Sequence, residues 1–315
     1  MARDLKTSGP QDLKTSFDGV LVVDKAEGPT SHDVVTFARR ALGVSRIGHT
    51  GTLDPMATGV LPLVIGRATR LAQFLTASDK TYEATLAFGR TTDTYDAAGK
   101  ATGTSERRPL REDLESALTS FRGTFEQTPP AYSAKNIGGE RSYDLARKAK
   151  TDVLQRPKAV SVTTRRLEIL EFAGETARLE MQVTAGFYVR SLVHDLGEAL
   201  GCGAVLTALR RTRSGEFRIE PAIPLVDVLQ AGREALEARL IPMAALLTDL
   251  PSVRLVGQAN LDRLKNGVEM APSDLISPLA ELPPVVRLLG PDGDLVGLAK
   301  PGKTPGCLHG WVVLV

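Results

Sequence analysis

One stretch of the chain surrounds a single carboxylate and a single imidazole with glycine, proline and small side chains. It runs Gly-His-Thr-Gly-Thr-Leu-Asp-Pro from Gly48 to Pro55 and continues through Gly59 to Pro62. Glycine permits close backbone approach and proline fixes its own φ, so a rigid loop is predicted. Asp54 precedes a proline, which favours an extended backbone at that residue. Asp54 is therefore either a held carboxylate with a chemical role or the cap of an Asx turn.

Three further side chains lie on elements that could present them to a cleft. Tyr188 and Arg190 stand where a strand-like segment changes into an apolar helical stripe. Tyr82 belongs to an alternating, strand-like segment. On the residues alone, a surface ion pair is an alternative for Arg190, and a core aromatic is an alternative for Tyr82. The adjacent His194 and Asp195 point about 100° apart on a helix, so they do not form a catalytic dyad.

The elements that must position these side chains follow from periodicity and from helix and turn signals. Strands are predicted at 19–23, 79–88, around 160–172 and at 177–183. Helices are predicted from Thr30 or Ser31, from Pro109 and from Val189. Their apolar stripes are Val34, Val35, Ala38 and Leu42; Leu110, Leu114, Leu118 and Phe121; and Val189, Leu192, Val193, Leu196 and Leu200.

Length and composition indicate an ordinary globular protein. The 315 residues suit roughly two domains of about 150 residues each. Residues 1–17 repeat Asp-Leu-Lys-Thr-Ser with little to bury, which predicts a disordered polar tail. The step around Asp249–Pro251 predicts a domain boundary, beyond which a hairpin is signalled at Pro291–Asp294.

Basic residues are concentrated in two blocks, although the net charge is only +2. From Arg141 to Arg166 there are eight Lys or Arg against two Asp, and from Val205 to Arg218 four Arg against one Glu. Such blocks predict a polyanion-binding surface or, alternatively, a solvated helix face. Cys202 and Cys307 show no paired spacing, and the histidines lack metal-ligand spacing, so neither a disulfide framework nor a metal site is predicted. Without an apolar leader or span, a cytoplasmic protein is expected.

The segment Gly48–Pro55 resembles the catalytic signature of the TruB family, the bacterial tRNA pseudouridine-55 synthases. The resemblance extends over roughly 19–215 and becomes diffuse beyond. It implies an α+β pseudouridine synthase fold, a mixed and mainly antiparallel sheet with flanking helices, followed by a small PUA-like β domain. The implied division is a catalytic domain at 18–248, with an RNA-clasping insertion at about 127–155, and a PUA-like RNA-binding domain at 249–315. Balanced charge after Pro251 leaves a structural cap as the alternative for this last part.

The resemblance also implies roles for individual residues. Asp54 is the expected nucleophile and Arg190 its partner, while Tyr82 stacks on a flipped-out uracil. The other expected substrate contacts are His49, Tyr188, Leu209, Lys25 and Arg147. A satisfied loop histidine is the alternative for His49. Ala26 and Asn136 depart from the family pattern, which usually has proline and lysine at these places.

The chemistry expected from this set is isomerisation of a uridine to pseudouridine in the T-arm of tRNA. Hydrolysis of a glycosidic bond ordinarily uses two carboxyl groups, whereas the central motif offers only Asp54. Attack at C1′ of the sugar and attack at C6 of the base both remain open. No cofactor, no metal, no membrane and no obligatory protein partner are expected, and the protein should be a monomer. A non-catalytic tRNA-binding protein, with Asp54 as a turn cap, is the alternative.

Overall fold

The structure of the chain, a computed structural model, describes residues 17–131, 136–137, 140–141 and 157–315. These residues form the predicted α+β fold, with a large mixed sheet, flanking helices and a small C-terminal sheet. None of the described helices is both long and apolar enough to cross a membrane.

The large sheet runs in the order β14-β1-β3-β12-β4-β11-β10-β7. Three short strands pair outside this order: β2 with β3, β13 with β12, and β15 with β1. Most neighbours are antiparallel, while β3 and β12 pair in parallel. The strands of the large sheet are β1 (Gly19–Lys25), β2 (Ile47–His49), β3 (Ala57–Ile65), β4 (Lys80–Phe88), β7 (Gly123–Gln127), β10 (Val160–Phe172), β11 (Thr176–Val183), β12 (Ala204–Ser214), β13 (Phe217–Arg218), β14 (Ile223–Pro224) and β15 (Ile241–Pro242). Two separate two-stranded ribbons are formed by β5 (Arg90–Thr92) with β6 (Ala101–Thr104), and by β8 (Asn136–Ile137) with β9 (Glu140–Arg141).

Helices cover one face of this sheet because alternate strand residues point there. The core on that face joins Leu21, Leu61 and Leu63 to apolar side chains of the first and fourth helices. The described helices are α1 (Ser31–Leu42), α2 (Ala72–Thr76), α3 (Arg111–Leu118), α4 (Val189–Ala199), α5 (Leu225–Gln230), α6 (Arg233–Glu237) and α7 (Gly257–Lys265).

Helix α1 shows how local sequence signals set an element's limits. Thr30 caps it, accepting a hydrogen bond from the Asp33 backbone N–H while the Asp33 carboxylate accepts one from the Thr30 N–H. Gly43, at φ 67°, ends it. The predicted apolar stripe of α1 is buried, and so are Tyr82, Ala84, Leu86 and Phe88 of β4.

The opposite face of the large sheet packs on the C-terminal sheet. Val20, Val22 and Val64 share one apolar cluster with Leu298 and Val312. The second sheet has the order β17-β16-β18-β19-β20. Its strands are β16 (Ser252–Leu255), β17 (Leu275–Ile276), β18 (Val286–Leu289), β19 (Leu295–Pro301) and β20 (Leu308–Val313).

Two details of the predicted elements are wrong. Phe17, assigned to the polar tail, is buried, and the Arg233 guanidinium lies 4.2 Å from its ring centroid. Leu110, assigned to an apolar helix stripe, is 66% exposed because it precedes the first residue of α3. Residues 1–16 lie outside the described residues.

Candidate active site

The segment 51–60, here called the Asp54 loop, follows β2, includes the first four residues of β3 and is tied to buried groups along its length. Arg211 donates to the Gly51 carbonyl at 3.1 Å and to the Val60 carbonyl at 2.7 Å. Ser31 of α1 accepts from the Leu53 N–H at 2.8 Å and donates to the Leu53 carbonyl at 3.0 Å. These ties leave the loop backbone little conformational freedom, as its glycine and proline content predicts.

Lys25 lies under the same loop with no exposed surface. Its ammonium donates to the carbonyls of Ala26, Pro55 and Ala57, at 3.0, 3.2 and 2.6 Å. Burial lowers the pKa of Lys25 to about 8, against the opposing effect of the Asp54 charge. All three donors are used within the protein, so Lys25 positions the backbone on both sides of Pro55. The expected contact between Lys25 and RNA stays a prediction.

Asp54 projects from the loop towards Arg190, its expected partner. Arg190 Nε lies 2.9 Å from Asp54 Oδ2, and Nη2 donates to Oδ1 at 3.3 Å. This two-pronged contact fixes both the position and the orientation of the carboxylate. The Asp54 side chain remains 35% exposed, whereas that of Arg190 is 8% exposed. The carboxylate therefore lies between a buried guanidinium and solvent.

A second carboxylate, Asp96, shares the same guanidinium. Its Oδ2 lies 3.7 Å from Arg190 Nη1, which also donates to the Thr94 carbonyl at 3.0 Å. The other oxygen of Asp96 accepts from Thr94 Oγ1 at 2.7 Å and from the Ala98 N–H at 3.1 Å. The sequence analysis names no role for Asp96, because nothing local in the sequence links it to Arg190.

The loop that carries Asp96 is held by its neighbour Tyr95. Tyr95 adopts φ 66°, which is unfavourable for a residue with a side chain. Its ring stacks on His194 of α4 at 3.8 Å with an interplanar angle of 9°. Its carbonyl accepts from the Leu206 N–H at 3.1 Å. These contacts offset the backbone strain and attach the loop to α4 and β12.

Tyr188 stands immediately before α4, with its backbone clamped by one side chain. The Gln127 amide donates to the Tyr188 carbonyl at 3.1 Å and accepts from the Tyr188 N–H at 2.8 Å. Ser191 donates to the Thr128 carbonyl at 2.8 Å. Residues 127–128, predicted to open the RNA-clasping insertion, are thus part of the support for α4. Residues 132–155 of that insertion, including Arg147, lie outside the residues whose side chains the structure describes.

Tyr82 and Leu209 come together through strand pairing. Leu209 of β12 pairs with Ala57 of β3 on one side and with Ala84 of β4 on the other. Tyr82 lies two residues from Ala84 on the same face of β4. Both side chains are mostly buried, at 9% and 8% exposure. They belong to the same apolar cluster, close to the start of β3.

His49 ends β2, five positions before Asp54 along the chain. Its Nδ1 accepts from the Gly51 N–H at 3.3 Å, which places the proton of the neutral ring on Nε2. Burial, and then the nearby Arg211 charge, lower the pKa of His49. The ring is therefore neutral near pH 7 and is half-buried beside the loop.

Several arginines of the two basic blocks form ion pairs within the part of the chain that the structure describes. In the second block Arg210 pairs with Asp24, with Nη2 to Oδ2 at 2.8 Å, while the adjacent Arg211 is buried. In the described part of the first block, Arg165 pairs with Asp79 at 2.5 Å and Arg166 pairs with Glu168 at 2.5 Å. The side chains of Arg165, Arg166 and Arg210 nevertheless stay 55%, 54% and 42% exposed.

Known proteins resemble the chain in both sequence and structure. Residues 39–189 match the N-terminal domain of the TruB family of pseudouridylate synthases, and residues 190–248 match the C-terminal domain of tRNA pseudouridylate synthase B. A protein of Solibacter usitatus called tRNA pseudouridine synthase B is 45% identical over 300 residues, 95% of this chain and 100% of its own length. One of the same name from Symbiobacterium thermophilum is 46% identical over 264 residues, 82% of this chain and 85% of its own length.

Solved structures share the fold. An H/ACA ribonucleoprotein bound to a substrate RNA containing 2′-deoxyuridine has a chain with a TM-score of 0.72 and 25% identity, covering 95% of this chain and 86% of that chain. A Cbf5–Nop10–Gar1 complex gives a TM-score of 0.70 at 25% identity, covering 97% of this chain and 88% of that chain.

Proposed function

The chain belongs to the TruB family and is a pseudouridine synthase, an isomerase, and on this basis we propose that it converts the uridine at position 55, in the T-arm loop of tRNA, to pseudouridine. The observation that carries the proposal is the partly exposed Asp54 carboxylate, which the buried Arg190 grips through two contacts. The reaction breaks the bond from N1 of uracil to C1′ of ribose and forms a bond from C5 to C1′. The C5 proton leaves, and N1 gains a proton.

Asp54 is the proposed nucleophile. One carboxylate suffices for an isomerisation, because the detached uracil stays in the site and rejoins through carbon, so no water molecule needs activation. Water would instead divert the intermediate towards hydrolysis, and a closed site protects it. The two contacts from the Arg190 guanidinium fix the orientation of the Asp54 carboxylate towards the substrate.

Asp96 has a supporting role in this proposal. It approaches Nη1 of Arg190, whereas Asp54 contacts Nε and Nη2, and its second oxygen is bound by Thr94 and Ala98. A guanidinium held on two sides cannot rotate away when the substrate contacts Asp54. Geometric restraint of this kind contributes to catalysis because reacting groups held in place avoid an entropic cost in the transition state.

The flipped-out base would occupy the apolar surface beside the Asp54 loop. Extruding a nucleotide from a folded RNA arm costs a few kcal/mol, which stacking and apolar contacts recover. Tyr82 would stack on the uracil, Leu209 would line its pocket, and Tyr188 would approach from the start of α4. The neutral His49 would fill the gap that the flipped nucleotide leaves, or hold its phosphate.

We expect the chain to act alone, as a cytoplasmic monomer, with residues 249–315 forming a PUA-like domain that adds RNA affinity. The relative from Solibacter usitatus is matched over its whole length, which supports a shared activity.

The decisive experiment incubates the purified chain with unmodified tRNA and maps pseudouridine by chemical modification and sequencing. Conversion at position 55 is expected, and a tRNA carrying cytidine at that position serves as the control for site choice. Binding of tRNA without conversion would leave the non-catalytic alternative, and conversion elsewhere would contradict the proposed site.

A further inference from the structure

Arg211 is buried in the large sheet without a carboxylate partner among the described residues. Only 1% of its surface is exposed, and it is among the largest fully buried side chains. Its described hydrogen bonds go to the carbonyls of Gly51 and Val60. A buried guanidinium is costly unless polar groups replace the lost water. Here those groups are main-chain carbonyls.

The two carbonyls bracket the nucleophile. Gly51 precedes Asp54, and Val60 follows it on β3, so one guanidinium joins both ends of the Asp54 loop. Between them, Lys25 binds the carbonyls of Pro55 and Ala57. Four carbonyls of the segment 51–60 are therefore turned towards two buried cations, while the Asp54 side chain points away from them to Arg190.

The strand that carries Arg211 also contacts β3 directly. Arg211 pairs with Gly59, which adopts φ 102°. A Cβ atom on Gly59 would lie 2.2 Å from the Arg211 carbonyl oxygen, so no other residue fits there without displacing the backbone. The relation between β12 and the Asp54 loop is thus determined by backbone contact as well as by the guanidinium.

We propose that Arg211 is a positioning residue for the reaction, which holds the Asp54 loop so that the carboxylate meets Arg190 and the flipped uridine at the correct distance. This role goes beyond the proposed function, although its test measures the same reaction, the conversion of uridine to pseudouridine in tRNA. Arg211 acts through the Gly51 and Val60 carbonyls and does not touch the substrate. Its neighbour Arg210 faces the other side of β12 and binds Asp24 instead.

The charge of Arg211 supplies an independent signal. It lowers the pKa of His49 and of Lys80, in both cases after the larger effect of burial. Removing the charge should therefore raise the pKa of His49, which NMR titration of the imidazole can follow.

The test compares Arg211→Met, Arg211→Lys and the control Arg213→Met in the full chain. Arg213 lies on the same strand but donates to the Gly215 carbonyl, away from the Asp54 loop. Three quantities are measured for each: the single-turnover rate on tRNA, the tRNA Kd, and the His49 titration. Folding is checked by circular dichroism and Tm.

Misplacement of a catalytic group by about 1 Å can cost about 100-fold in rate. Arg211→Met should lose about that much in single-turnover rate, with the Kd changed less than about threefold and the His49 pKa raised. Arg211→Lys keeps the charge but reaches one carbonyl only, so it should recover part of the rate. Arg213→Met should match the wild type.

A rate for folded Arg211→Met within about threefold of wild type would overturn the proposal, as would equal losses of rate and affinity. If Arg211→Met does not fold, a fully active Arg211→Lys would overturn it, because one ammonium cannot join both carbonyls. An inactive wild type would instead contradict the proposed function, which keeps the two failures separate.

Discussion

Two loops each bring a carboxylate to Arg190, and the two carboxylates differ in their exposure and in their other hydrogen-bond partners. The Asp54 side chain is 35% exposed, and within the described residues its contacts are those with Arg190. The Asp96 side chain is 10% exposed, and one of its oxygens accepts hydrogen bonds from Thr94 and Ala98. The same functional group is thus open to a substrate in one loop and closed in the other.

The supports beneath the two loops differ as well. The Asp54 loop rests on the buried cations Lys25 and Arg211, which bind its carbonyls. The Asp96 loop rests on the stacked rings of Tyr95 and His194. In the Asp54 loop the backbone is fixed and the carboxylate is partly exposed, which suits a nucleophile. In the Asp96 loop the carboxylate is bound by neighbouring groups, which suits a residue that holds Arg190 in place. Four changes test this division of roles.

Asp54→Asn should have the largest effect. It keeps the shape of the side chain but removes the nucleophile, so the turnover of tRNA should fall by at least about 10⁴-fold. Affinity for tRNA should persist, because a carboxylate contributes no attraction to phosphate. The measurement is pseudouridine formation together with filter-binding Kd, with Asp79→Asn as a control at an acid that pairs with Arg165. Surviving turnover would make Asp54 a mere turn cap.

Arg190→Leu should come next. It leaves two carboxylates without their shared cation, so the nucleophile loses the group that orients it. We expect turnover to fall about 1,000-fold while the tRNA Kd changes less than about threefold. Single-turnover kinetics and binding are measured side by side. Equal losses in both would identify Arg190 as a phosphate contact.

Asp96→Asn should reduce turnover by about 10- to 100-fold, since it loosens Arg190 without removing the nucleophile. Asp93→Asn in the same loop is the matched control, because Asp93 accepts from the Lys100 N–H and is not bound to Arg190. The control should stay within about twofold of wild type. An effect of Asp96→Asn as large as that of Asp54→Asn would mean that the two carboxylates do not have separate roles.

Lys25→Met should have the smallest effect, a change in the pH dependence of stability. The pKa of Lys25 is about 8 in the folded chain against an ordinary 10.5. Between these values the unfolded chain binds more protons, so the stability of the wild type rises with pH through this window. The variant lacks this contribution, and its Tm should rise less steeply from pH 8 to pH 10.5 in thermal melts. Parallel curves for the two proteins would show that burial does not perturb Lys25.

The sequence by itself determined the features that depend on near neighbours. The capping pair of Thr30 and Asp33 and the apolar stripe behind it specify α1, and simple alternation specifies β4. Glycine and proline around Asp54 specify a rigid loop, since they restrict the backbone wherever they occur. The family signature around Asp54 named the expected nucleophile and its arginine partner.

Only the tertiary structure decided which distant groups meet. Arg210 and Arg211 are chemically identical neighbours, yet one reaches an acid at the surface and the other is buried under the Asp54 loop. Asp96 is a partner of Arg190, and Lys25 supports the backbone around Pro55. Each outcome depends on the order of the strands, above all on the parallel pairing of β3 with β12. Strand order is set by the burial of the whole apolar core, which local periodicity does not encode.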